Sequence, residues 1–152
     1  MDLDKLIELI EKYPNLPAVL QSGHLAAYQF KQGLNIDTKE YQALELELIL
    51  AKIIVRKSNY TRATNEALQY LGEKEIDFEN IRVLENLYPG IIGMFESGGV
   101  TSGHVSIAYK IPKEQAQRII SDAAIYGLVK CHQYKAFIPK DVKKQLKEKN
   151  LL

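Results

Sequence analysis

Lys113, Gln115, Gln117, Arg118 and Ser121 alternate with Ala116, Ile119, Ile120 and Ala123, which fall at i, i+3, i+4 and i+7. That spacing predicts a helix whose apolar stripe is buried and whose five polar side chains lie on or beside the open face. Long donors and a small hydroxyl on one helix face are the types that contact phosphate oxygens and base edges in a major groove. Glu114 stands among them, and its carboxylate repels phosphate, so the face is less basic than such chemistry would favour.

The flanking residues supply the elements that would hold this helix. Thr101 and Ser102 are hydroxyl residues suited to accept bonds from the free N–H groups of a helix start, and that helix runs through Lys110 with Val105, Ala108 and Tyr109 as its stripe. Ile111 precedes Pro112 and is biased away from the α region, while proline suits the first turn of the next helix, so a tight break separates the two. Gly127 can take the left-handed conformation that ends a helix. Leu128 and Val129 begin a strand, Lys130 to Lys135 form the turn of a small hairpin, and Tyr134, Phe137 and Ile138 return to the core.

This order, from Val100 to Pro139, resembles the winged helix-turn-helix of MarR-like proteins. The resemblance covers about a quarter of the chain and rests on pattern. It implies a mainly α fold with a small β-hairpin wing, and sequence-specific binding of double-stranded DNA. The contact set would be Ser102, Lys113, Gln115, Gln117, Arg118, Ser121, Lys130 and Lys135, with Lys130 and Lys135 on phosphates. A transcriptional regulator, or an accessory protein of a plasmid, phage or conjugative element, would use such a reader. Winged helices also serve as protein-protein interaction modules in larger assemblies, so that reading stands as the alternative.

Net charge says little, since 20 basic and 19 acidic residues nearly cancel. Their distribution says more. Residues 1–72 carry 8 basic and 9 acidic side chains, residues 73–99 carry 2 and 6, and residues 100–152 carry 10 and 4. Positive charge is therefore concentrated where the proposed reader lies, as an electrostatic footprint requires. The segment KDVKKQLKEKNLL can either extend along a phosphate backbone or form a solvated helix end.

The chain divides into a helical segment at 1–72, the helix-turn-helix segment at 73–139 and a basic tail at 140–152. Leu3, Leu6, Ile7 and Ile10 predict an amphipathic helix over 2–13 that stops before Pro14. One or two helices follow to Gln32, a long helix capped by Asp37 or Thr38 runs through Val55, and another spans Tyr60 to Leu71. Asp77 caps a helix carrying Ile81, Leu84 and Leu87.

A weak internal repeat is also visible. Ser22-Gly23-His24-Leu25 echoes Ser102-Gly103-His104-Val105, Thr38-Lys39-Glu40 stands opposite Pro112-Lys113-Glu114, and Ile54 to Tyr60 parallels Leu128 to Tyr134, with about six extra residues needed in the first copy. Two architectures follow: one winged helix on a helical domain, or two tandem copies packed together. The second resembles the TraN-type DNA-binding proteins of Gram-positive conjugative plasmids. Residues 41–55 are apolar on nearly every side, which predicts burial, so a first copy would pack against the second or form a dimer interface. Two readers are expected in the active form, from a homodimer or an internal pseudo-dimer.

Catalytic and metal chemistry find little support. His24, His104 and His132 are isolated, and Cys131-His132 lacks further ligands at zinc spacing, so no metal and no cofactor is expected. No phosphate-binding glycine loop and no Ser, His and Asp set is present, and an enzyme is not expected. Charged residues interrupt every apolar run before membrane-spanning length, and the acidic, amphipathic N-terminal segment is unlike a signal peptide. A cytoplasmic protein with no membrane partner is the expectation.

Overall fold

The computed structural model describes residues 1–152 and is mainly helical, with ten helices and two antiparallel hairpins. The first half runs α1 (Leu3–Lys12), α2 (Leu16–Leu20), α3 (Ala27–Leu34), α4 (Thr38–Leu50), β1 (Ile54–Arg56), β2 (Thr61–Ala63) and α5 (Asn65–Leu71). The second runs α6 (Phe78–Leu87), α7 (Ile91–Glu96), α8 (Ser102–Tyr109), α9 (Lys113–Ile125), β3 (Lys130–His132), β4 (Lys135–Phe137) and α10 (Lys140–Glu148). No helix is long and apolar enough to cross a membrane.

The two halves are the same unit written twice, in a single register of 75 residues. Leu3 and Phe78, Leu16 and Ile91, Ala27 and Ser102, Thr38 and Lys113, and Asn65 and Lys140 each open equivalent helices 75 apart. Local chemistry repeats with them. Asp2 and Asp77 cap α1 and α6 through their carboxylates, Tyr13 and Tyr88 close them, and Asn35 and Lys110 hold left-handed backbone after α3 and α8. The backbone N–H of Ala26 donates to the Gln29 side chain and that of Thr101 to the His104 side chain, so both third helices open on the same side-chain return, which Thr101 alone reciprocates by accepting from the His104 N–H. The hairpins share a register too: Arg56 faces Thr61 as Cys131 faces Ala136. Each hairpin takes a one-residue third strand, Leu25 on Thr61 and Val100 on Ala136.

This register corrects the alignment expected from sequence. Ser22-Gly23 matches Ser97-Gly98 and not Ser102-Gly103, and no inserted residues are needed. The two Ser-Gly-His strings occupy different places, because Gly23 follows α2 whereas Gly103 lies inside α8.

Each repeat has its own core. Leu6, Leu9, Leu16, Leu20, Phe30, Leu44 and Leu48 fill the first; Ile81, Leu84, Ile91, Phe95, Val105, Ile119 and Ala123 fill the second from equivalent positions. Residues 140–152 do not form a free tail. α10 sinks Val142 and Leu146 into the second core, as α5 sinks Ala67 into the first.

Three further expectations are revised. α4 ends at Leu50 instead of Val55, because residues 54–56 pair as β1 with residues 61–63. The same pairing shortens the helix expected over Tyr60 to Leu71 to α5. α4 is also not buried all round: Leu44 and Leu48 face the core, but Leu46 is 58% exposed and Leu50 is 73% exposed. Its apolar residues serve two opposite sides, which composition alone cannot separate.

A continuous seam joins the repeats. Backbone bonds run from His24 N–H to the Cys131 carbonyl (2.8 Å) and from Cys131 N–H to the Ser22 carbonyl (2.9 Å), adding the Gly23 segment to the edge of β3. Gly23 sits at φ +89, and a Cβ there would lie 2.4 Å from the Cys131 oxygen. Gly23→Ala therefore faces both left-handed strain and a backbone clash, and it is expected to lower unfolding free energy by roughly 2 kcal/mol or more. Urea denaturation of the two proteins checks this.

Candidate nucleic-acid interface

α9 carries the polar set that the sequence singles out, and its surroundings divide that set. Ala116, Ile119, Ile120 and Ala123 point into the second core, as their spacing predicts. Lys113, Glu114, Gln115 and Arg118 are exposed at the start and middle of the helix, and Gln117 is half-buried. Ser121 is 2% exposed, so it cannot reach a groove.

The cover over Ser121 comes from the first repeat. α3 and α2 lie against the outer side of α9, and Gly33 sits in that contact. A Cβ on Gly33 would stand 2.8 Å from Val19 Cγ2, 3.3 Å from Ile125 Cδ1 and 3.7 Å from Ser121 Oγ. At the other end of the contact, Gln32 Nε2 donates to the Glu114 carbonyl at 3.5 Å. Helical periodicity identifies the face of α9 that its own core leaves free; it carries no information about a second domain seated there.

The remaining expected residues are distributed as follows. Ser102 occupies the first turn of α8 and is half-buried, while Thr101 makes the cap by accepting from the His104 N–H. Gln115 Nε2 donates to the Tyr88 hydroxyl at 2.8 Å, which ties the side chain back to the end of α6. Arg118 and Asp122 line a shallow groove with Val83 and Leu87, and burial raises the Asp122 carboxyl pKa while Arg118 opposes the rise. Lys130 and Lys135 are exposed on the two strands of the second hairpin, not in its turn. The turn is only Gln133 and Tyr134, both at positive φ, the backbone of a tight two-residue hairpin.

That turn is pinned to the first repeat. Gln133 N–H donates to His24 Nδ1 at 3.2 Å, and Tyr134 is exposed instead of entering the core, donating its hydroxyl to the Asn59 carbonyl at 2.7 Å. His24 stacks on Tyr60 at 3.7 Å and lies 4.4 Å from the His132 ring. Burial, then His132 and Arg62, lower the His24 pKa, the direction that favours an Nδ1 free to accept the Gln133 N–H. His24 therefore belongs to the seam between the hairpins.

The basic segment after Pro139 was a candidate phosphate contact in the sequence, but the face that α10 presents was not resolved there. With Val142 and Leu146 buried, Lys140, Lys144 and Lys147 line its outer side at one-turn intervals. Lys143 lies beside them and donates to the Glu96 carbonyl at 3.4 Å. The i, i+4, i+7 spacing of these lysines was the available signal. None of the ten Lys and Arg residues between 110 and 149 takes part in an ion pair; those present involve only Met1, Lys5 and Arg56.

A cleft of about 570 Å³ separates the repeats on the α5 and α10 side, with Arg62, Lys74, Lys130, Glu73 and Asp141 in its lining. Burial pushes the Lys74 ammonium down to about 8. No protein-family profile matches the chain, and neither a curated protein nor a solved structure matches it.

Lys74, half-buried in the cleft between the repeats, and the buried Cys131 give direct tests. The Lys74 pKa is depressed on folding, so the charged form penalises the native state below pH 8, and the penalty fades as pH rises toward the ordinary value of 10.5. Lys74→Met is therefore expected to raise the melting temperature at pH 7, with the gap to the parent protein narrowing by pH 9.5. Cys131 is buried and its thiol is pushed up to about 11 by desolvation, against the bond from Gln29 Nε2 at 3.5 Å. Its reaction with a disulfide reagent at pH 8 is expected to be at least roughly a hundredfold slower in the native protein than in urea.

Proposed function

We propose that this protein is a tandem winged-helix protein that binds double-stranded DNA, chiefly through phosphate contacts made by its second repeat. The fold reading rests on element order. Each repeat has a helix-turn-helix followed by a hairpin, and a single residue from upstream completes a three-stranded edge. The functional reading rests on one observation above the others: ten unpaired cations on residues 110–149, nine of them exposed. Cations held without acidic partners release condensed counterions when they meet a phosphate backbone, and that release drives association.

In this reading Lys140, Lys144 and Lys147 of α10 and Lys130 and Lys135 of the hairpin contact the backbone. The free start of α9, with Lys113, Gln115 and Arg118, supplies whatever base contact is made. Because α3 covers Ser121 and Ile125, α9 is available over its first turns only. This favours an accessory or regulatory DNA-binding protein with modest sequence preference over one that lays a whole recognition helix in the groove.

Titration of fluorescent duplex DNA over a salt series tests the proposal. Affinity is expected to fall steeply with salt, and Lys140→Gln/Lys144→Gln/Lys147→Gln is expected to flatten the log-log slope by about 2 to 3. Lys113→Ala/Arg118→Ala is expected to reduce preference among duplex sequences more than it reduces the slope. No duplex binding at low salt would overturn the reading.

A further inference from the structure

The seam between the repeats is heterologous. The first repeat contributes α2 and α3, and the second contributes α9 and β3. A two-fold arrangement would also join α4 of the first repeat to α8 of the second, but those faces are open. The 75-residue register shows what occupies them. Ser121 and Ile125, which α3 covers, correspond to Leu46 and Leu50 on α4. Gln32 and Gly33, which do the covering, correspond to Ile107 and Ala108 on α8.

At both free ends the equivalent residues are apolar and exposed. Ile107 is 80% exposed, Leu50 is 73% exposed and Leu46 is 58% exposed, and Ile107 and Leu50 are the two most exposed large hydrophobic residues in the chain. One unit thus ends in a copy of the α9 face, and the other ends in a copy of the α3 face. The backbone repeats the pattern. Gly98 holds φ +94, matching Gly23 at φ +89, yet nothing lies within 4 Å of its Cβ position, whereas Gly23 is packed on Cys131.

We propose that the protein associates head to tail, with Leu46 and Leu50 on α4 of one molecule packing over Ile107 and Ala108 on α8 of a second copy. The contact reuses the geometry that joins the repeats inside one chain. It is driven by apolar burial at the positions where the internal seam has a serine, a glutamine and one isoleucine, Ser121, Gln32 and Ile125. Ala108 replaces Gly33, so the helices approach slightly less closely, and Leu46, larger than the Ser121 it replaces, fills the added space. A heterologous contact of this kind leaves one free end of each type after every addition, and so it builds rows or rings of molecules instead of a closed two-fold pair. The inference stands on the internal seam and is independent of DNA binding.

Sedimentation velocity from roughly 10 to 500 µM without DNA tests it, since association follows mass action. The parent protein is expected to grow beyond a dimer with concentration. Leu46→Glu/Leu50→Glu and Ile107→Glu each ruin one end, and each alone is expected to be monomeric, with association weakened at least roughly tenfold. Mixed in equal amounts, the two variants still present one intact end apiece and are expected to form a 1:1 heterodimer that stops there. A parent protein that stays monomeric throughout would overturn the proposal. So would an Ile107→Glu protein that dimerises alone, which marks an α4-to-α4 pair, or self-association of Leu46→Glu/Leu50→Glu. Circular dichroism verifies the fold of each variant, with Leu50→Lys and Ile107→Lys as replacements where one fails to fold.

Discussion

Gly33 has no side chain where α2, α3 and α9 meet, and the rest of the molecule depends on that approach. A Cβ there would press on Val19 and Ile125 from opposite repeats. The same seam continues through Gly23, whose left-handed backbone lets the Ser22 to His24 segment add to β3, and ends in the stack of His24 on Tyr60 beside His132. Two glycines, one helix packed on another and one short edge pairing therefore turn two similar small domains into one body. Each alone lies near the lower size limit for a stable core, so sharing a seam is an economical source of stability.

The seam also decides which surfaces are free. In a lone helix-turn-helix the outer side of the second helix faces solvent along its length; here α3 covers its later turns on α9, while the counterpart on α4 is open and apolar. On the proposed function, DNA contact would thereby shift from the helix face that the sequence advertises toward the start of α9, the hairpin strands and the lysines of α10. Within the second repeat charge is uneven: two cations against six acids over 73–99 are followed by ten against four over 100–152.

Local chemistry was the most legible layer of the sequence. Caps at Asp77 and Thr101, the break at Ile111-Pro112, the end of α9 at Gly127 and the stripe from Ala116 to Ala123 were all readable, because each depends on neighbours within a turn or two. The repeat was legible in outline but not in register, since the matching strings Ser-Gly-His at 22 and 102 outweighed the weaker but correct pairing of Tyr13-Pro14 with Tyr88-Pro89. What could not be read was which repeat covers which. Ser121 looks like a contact residue on any helical projection, and Leu46 looks like core; only the packing of α3 on α9 reverses the two. The hairpin turn was misplaced by the same blindness to long-range partners, since Tyr134 bonds to Asn59 across the seam.

The most direct test of this account is a nuclear Overhauser measurement between the Gly33 α protons and the Ile125 δ-methyl group in methyl-labelled protein at dilute concentration. A strong cross-peak is the expected result, because α3 and α9 meet there within van der Waals distance inside one molecule. Absence of that peak, with the two halves tumbling independently, would contradict the covered face of α9 and the head-to-tail surfaces inferred from it.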